Sequence, residues 1–141
     1  QKRDYDPRLA YAQSKTANLW FGSELQRRHG DRLLSLSVHP GVIQTDLSRH
    51  VPEAVIDAMR ASFVERGIQM KIVPQGAATS VWGATSDTLL DHGGAYLADC
   101  QIAEPVSAEN AASGYAPWAY DRENAERLWT ESERLTGVSF A

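Results

Sequence analysis

A long stretch rich in alanine and leucine gives way near residue 30 to a short run that is almost wholly apolar. The first, residues 9–29, reads as a helix. Asp6-Pro7 marks its start, with proline in the first turn, and its basic end suits the negative pole of the helix dipole. Gly30 is placed to cap it. The second, Leu33-Leu34-Ser35-Leu36-Ser37-Val38, reads as a strand whose near-continuous apolar character belongs in a buried parallel sheet. A helix feeding such a strand within a few residues is the second half of a strand–helix–strand unit.

His39-Pro40-Gly41 breaks the strand, and residues 47–73 follow with weaker periodicity. A helix is expected there over 53–66, between the Pro52 and Gly67 signals. Residues 74–85 read as another, with proline at the start and small residues for close packing. Gly93-Gly94 turns into a strand over 95–98, and 105–117 reads as a surface loop. Asp121 caps a last amphipathic helix with Ala125, Leu128, Trp129 and Leu135 along one side. Alternating helices and apolar strands assign the α/β class. No repeat or low-complexity tract interrupts the pattern.

Composition narrows the partners. The 141 residues suit a single domain without a seam, and a net charge of -4 offers no basic field for nucleic acid or an anionic membrane. No apolar run approaches the roughly 18 residues of a membrane span. The first residues, Gln1-Lys2-Arg3-Asp4-Tyr5, carry neither a secretory signal nor an initiator Met, as in a chain cut from something longer. One cysteine, Cys100, excludes an internal disulfide, fits a reducing compartment such as the cytoplasm, and reads as a small core residue. His29, His39, His50 and His92 lack metal-ligand spacing and read as surface or turn residues, so no metal site is expected. Trp20, Trp82 and Trp129 are assigned to the core or to subunit contacts of a homo-oligomer. Trp118, in a loop with Tyr115 and Tyr120, stays open as a substrate or partner contact.

Candidate chemistry sits in two places. Tyr11 and Lys15, four apart on a helix, share one face about a turn apart. A free tyrosine, with a pKa near 10, is a poor acid or base at neutral pH; a neighbouring ammonium favours the phenolate and eases proton exchange. Lys15 can also donate hydrogen bonds to ribose hydroxyls. The alternative is an aromatic packed on a helix beside a solvated lysine. Pro40-Gly41 follows a buried strand and so lies where open α/β sheets bind ligands. Gly41 lets a ligand approach the main chain, Val42 offers N–H and C=O to a carboxamide, and Thr45 offers a hydroxyl. The alternative is an ordinary strand-ending turn.

These motifs resemble the short-chain dehydrogenase/reductase family, and within it the branch of retinol dehydrogenases, WW-domain oxidoreductase and protochlorophyllide reductase. The resemblance runs through Ala10-Tyr11-Ala12-Gln13-Ser14-Lys15-Thr16-Ala17-Asn18 and Val38-His39-Pro40-Gly41-Val42-Ile43-Gln44-Thr45-Asp46-Leu47. It continues through Gln75-Gly76-Ala77-Ala78-Thr79, Gly93 to Cys100, and Ala125-Glu126-Arg127-Leu128-Trp129.

The resemblance implies the C-terminal part of a Rossmann-type doubly wound parallel sheet, with residues 33–38 and 95–98 at its far end. Tyr11 then resembles the catalytic acid/base and Lys15 its catalytic, ribose-binding partner, both of them also contacts of the cofactor. Pro40, Gly41, Val42 and Thr45 resemble the cofactor loop, and 47–73 the substrate-covering segment. It implies NAD(P), with NADP ahead of NAD, and a small carbonyl or alcohol substrate. A family member also carries a glycine-rich dinucleotide turn, an Asn-Ala-Gly run and a catalytic serine upstream of the tyrosine. None of these occurs in residues 1–141, and Ser14, between Tyr11 and Lys15, does not replace the serine. The 141 residues alone are therefore expected to be inactive. A competing reading from another class is a non-catalytic binding or regulatory relative.

Overall fold

The computed structural model describes residues 4–107 and 114–139. Helix α1 (Pro7–His29) starts where the Asp6 carboxylate accepts the backbone N–H groups of Arg8 (2.8 Å) and Leu9 (3.0 Å). It ends at Gly30, which stays right-handed (φ -64°), so the expected glycine cap does not use a left-handed turn.

Strand β1 (Ser37–His39) is shorter and less buried than the 33–38 run implies. Leu33 and Leu34 are exposed and precede it. Hydrogen bonding gives the reason. The Ser35 N–H donates to Gln26 Oε1 on α1 (2.8 Å), and its hydroxyl donates to the Gly22 carbonyl (2.8 Å). That stretch is tied to the helix before it reaches the sheet.

The next strand, β2 (Val42–Ile43), pairs in parallel with β3 (Met70–Lys71), a small second sheet that the hydrophobic pattern did not announce. Between them lie a 3-10 turn at Asp46–Ser48 and α2 (Glu53–Glu65). Helix α3 (Val73–Thr85) then packs on β2 through buried Gly76. A Cβ at Gly76 would stand 2.0 Å from Ile43 Cδ1, so the small-residue reading of this helix has a specific cause.

Strand β4 (Tyr96–Ala98) lies parallel to β1, Ser37 opposite Tyr96 and His39 opposite Ala98. It turns through Asp99-Cys100 into β5 (Gln101–Ile102), which runs antiparallel. The sheet order is β1-β4-β5, so β1 has one strand neighbour among the described residues. Pro105 bridges to Tyr115, which anchors both ends of the expected loop; residues 108–113 lie outside the described residues.

Helix α4 (Arg122–Thr136) begins with the Asp121 carboxylate accepting the Asn124 N–H (3.0 Å). It packs along α1. Trp129 is buried and stacks on Phe21 (centroids 5.2 Å apart, planes at 14°), with the Arg28 guanidinium 5.0 Å from the indole. Ala125 is buried with it, but Leu135 is exposed. Leu89, Leu97, Ala98 and Ala119 complete the buried core. Cys100 is exposed, contrary to its reading as a core residue, because it occupies the tip of the β4–β5 turn.

Candidate active site

Both candidate motifs open into one cleft of about 820 Å³ beside the carboxyl end of β1. Tyr11, Lys15, Pro40, Gly41, Thr45 and Trp118 are among its walls. The Lys15 ammonium stands 5.2 Å from the centroid of the Tyr11 ring, as the helical spacing of four requires. Tyr11 is 55% exposed, so its ring is available to a ligand and is not a core aromatic. Ser14 donates its hydroxyl to the Tyr11 carbonyl (2.7 Å) and is engaged with the helix backbone.

Thr45 caps the 3-10 turn, its Oγ1 accepting the Leu47 N–H at 3.4 Å. The hydroxyl hydrogen remains to be donated elsewhere. Val42 lies apart from the cleft wall, in β2 and in register with Met70. Gly41 adopts φ +87°, a left-handed conformation that side chains disfavour.

His39 is a wall residue that sequence reading did not select. It is half-buried and tilted against Tyr96 (centroids 6.3 Å apart). Its Nδ1 accepts the Gly41 N–H at 3.2 Å, which requires that nitrogen to carry no proton. Burial pushes the imidazole below its ordinary value, Asp99 opposes that and Lys71 adds to it. Its position directly before Pro40-Gly41 was the available signal. Tyr96 had none, because its approach follows from the β1–β4 register.

Trp118 is held through its backbone, since Trp20 Nε1 donates to its carbonyl at 2.8 Å, while the residue remains 59% exposed. Nearby, Tyr115 and Tyr120 meet edge to face at 4.9 Å, and the Tyr120 hydroxyl accepts the Tyr96 N–H (2.9 Å). Burial raises the pKa of both Tyr96 and Tyr120.

No protein-family model matches the chain. Curated proteins do. The chain is 39% identical to an oxidoreductase of Penicillium decumbens, over 95% of this chain and 41% of the relative. It is 38% identical to a short-chain dehydrogenase/reductase of Penicillium roqueforti, covering 96% and 40%. It is also 38% identical to polyprenol dehydrogenase of Mus musculus, covering 95% and 37%. The chain belongs to the short-chain dehydrogenase/reductase family. Membership puts its helices and parallel strand pairs in a Rossmann-type sheet, with antiparallel β5 as a local departure. The chain spans about two fifths of the length of the curated relatives it matches. Among the described residues, no helix is long and apolar enough to cross a membrane.

Proposed function

We propose that the whole protein is a nicotinamide-dependent oxidoreductase acting on a carbonyl or alcohol, with Tyr11 as its acid/base. One observation carries this reading. Tyr11 and Lys15, on one face of α1, open into the same cleft as the Pro40–Gly41 turn and Thr45.

The donor set suits the nicotinamide–ribose end of NAD(P). The Lys15 ammonium has three hydrogens for ribose hydroxyls, Thr45 has a free hydroxyl hydrogen, and Gly41 presents bare backbone. No glycine-rich phosphate turn is among these residues, so the adenosine and phosphates would be held elsewhere in the protein. When bound, the cofactor supplies or accepts a hydride, a two-electron change at the substrate carbon.

The chain's own work is proton transfer and orientation. In reduction, the Tyr11 hydroxyl donates its proton to the substrate oxygen as that oxygen gains charge; in oxidation it takes the alcohol proton. The Lys15 ammonium, 5.2 Å from the ring centroid, is placed to hold the ribose beside the tyrosine. Trp118 offers a flat, exposed apolar wall to the cleft, and we take 47–73, which reaches the cleft at Leu47, as the segment covering the substrate. We take NADP ahead of NAD, and the cytoplasm as compartment, the latter because Cys100 is a free, exposed thiol.

The test is Tyr11→Phe in the full-length protein. Turnover should fall by about 10² or more, the scale of general acid–base catalysis, while NADPH binding is retained. Near-normal turnover would refute the assignment.

A further inference from the structure

We infer that Lys71 is a positioning residue: laid across Gly41 and tied to Asp99, it fixes the cofactor-facing turn from behind. The inference rests on the reading of the cleft as a nicotinamide site. A Cβ at Gly41 would lie 2.8 Å from Lys71 Cδ, Cε and Nζ, so the lysine stem runs flat over the glycine. The stem cannot take that path if residue 41 has a side chain. Lys71 itself is placed by β3, where it pairs in register with Ile43, two residues beyond the glycine.

Its ammonium forms an ion pair with Asp99. Asp99 and Cys100 are the two central residues of the β4–β5 turn, at φ +53° and +55°. Such a turn favours Asn-Gly or Asp-Gly, and here the second position is not glycine. The conformation is held by another element. The Cys100 N–H donates to Thr79 Oγ1 on α3 (3.2 Å), and Thr79 is 1% exposed. The carboxylate that meets Lys71 therefore sits on a turn fixed by a buried side chain.

Gly41 is thus gripped twice. His39 accepts its N–H, and Lys71 covers the position where a side chain would start. Lys71 and Asp99 line a neighbouring hollow of about 330 Å³ and are absent from the walls of the main cleft. The pair consequently acts through Gly41 and does not touch the ligand. Its side chains are 22% and 46% exposed, so water and salt weaken it without removing it.

The experiment is nucleotide titration of the full-length protein as wild type, Lys71→Met, Asp99→Asn and Lys71→Arg. NADPH and NADH are titrated alongside ADP-ribose and its 2′-phosphate, which lack the nicotinamide. Lys71→Met and Asp99→Asn should each weaken the better-bound dinucleotide by about threefold to fivefold, the scale of a partly screened ion pair. Affinity for the nicotinamide-free nucleotides should not change, and Lys71→Arg, which keeps both the long stem and the charge, should retain most of the wild-type affinity.

Unchanged dinucleotide affinity in both single variants would overturn the inference. So would an equal loss for the nicotinamide-free nucleotides, which marks general damage, or a loss in Lys71→Arg as large as in Lys71→Met. Wild-type protein that binds no dinucleotide would instead refute the nicotinamide reading itself, and this inference with it.

Discussion

Gly41 concentrates three demands on one residue: a left-handed backbone, an N–H donated to His39, and room for the Lys71 stem. Gly41→Ala meets none of the steric ones. It should destabilise the fold by about 1–3 kcal/mol, the range for a side chain held at such a backbone angle, read as a lower urea midpoint. At the other wall, Lys15→Met should raise the NADPH dissociation constant of the full-length protein, measured by the same titration; an unchanged constant would reduce Lys15 to a surface residue. Tyr11 and Lys15 were legible from sequence because one helix fixes both and its spacing alone sets their geometry. His39 was not. Its burial and electrostatics come from Tyr96, Lys71 and Asp99, on elements 32 or more residues away that no local pattern brings together.

Among the elements, the helices and the strand at 95–98 were read closely, β1 only in part, and β2, β3 and β5 not at all. Asp6 and Asp121 write helix starts into adjacent residues, because each carboxylate caps N–H groups two or three positions on. Strands of two or three residues are defined by their partners instead. Nothing near Val42 announces Met70, and nothing in 33–36 announces that Gln26 will hold Ser35. The α1–α4 contact lies between these cases. The apolar stripe on α4 was visible, but within it Trp129, stacked on Phe21, is buried and Leu135 is not. Trp129→Ala should therefore cost about 3–5 kcal/mol, while Leu135→Ala should stay within about 0.5 kcal/mol. Thermal melts of both variants would check the contrast.

At the scale of the molecule, His39 and a group of lowered carboxylates, Glu24 with Asp6, Asp121 and Glu131, set the response to acid. His39 is held below its ordinary 6.5 chiefly by burial, with Lys71 adding to the effect and Asp99 opposing it. The unfolded chain therefore takes up that proton first, so stability is complete above about pH 6.5 and falls as pH drops towards the folded value. Glu24 is held below 4.5, first by its hydrogen bond from Arg27 and then by Arg28, at 2.6–2.7 Å. Its contribution is present above about pH 4.5 and disappears as pH falls further. Urea midpoints from pH 7.5 to 3.5 should show two declines, and His39→Gln should lack the upper one.

The β1–β4 register also sets a schedule for synthesis. Ser37 pairs with Tyr96, so the residue that holds this strand lies 59 positions further along the chain. At about 5–20 residues per second, a ribosome takes roughly 3–12 s to deliver the second after the first. For that interval the helix bearing Tyr11 and Lys15 and the turn bearing Gly41 have been made, but their shared support has not. Nascent chains in this window would expose an unpaired strand edge, and that makes them clients for chaperones that shield such edges.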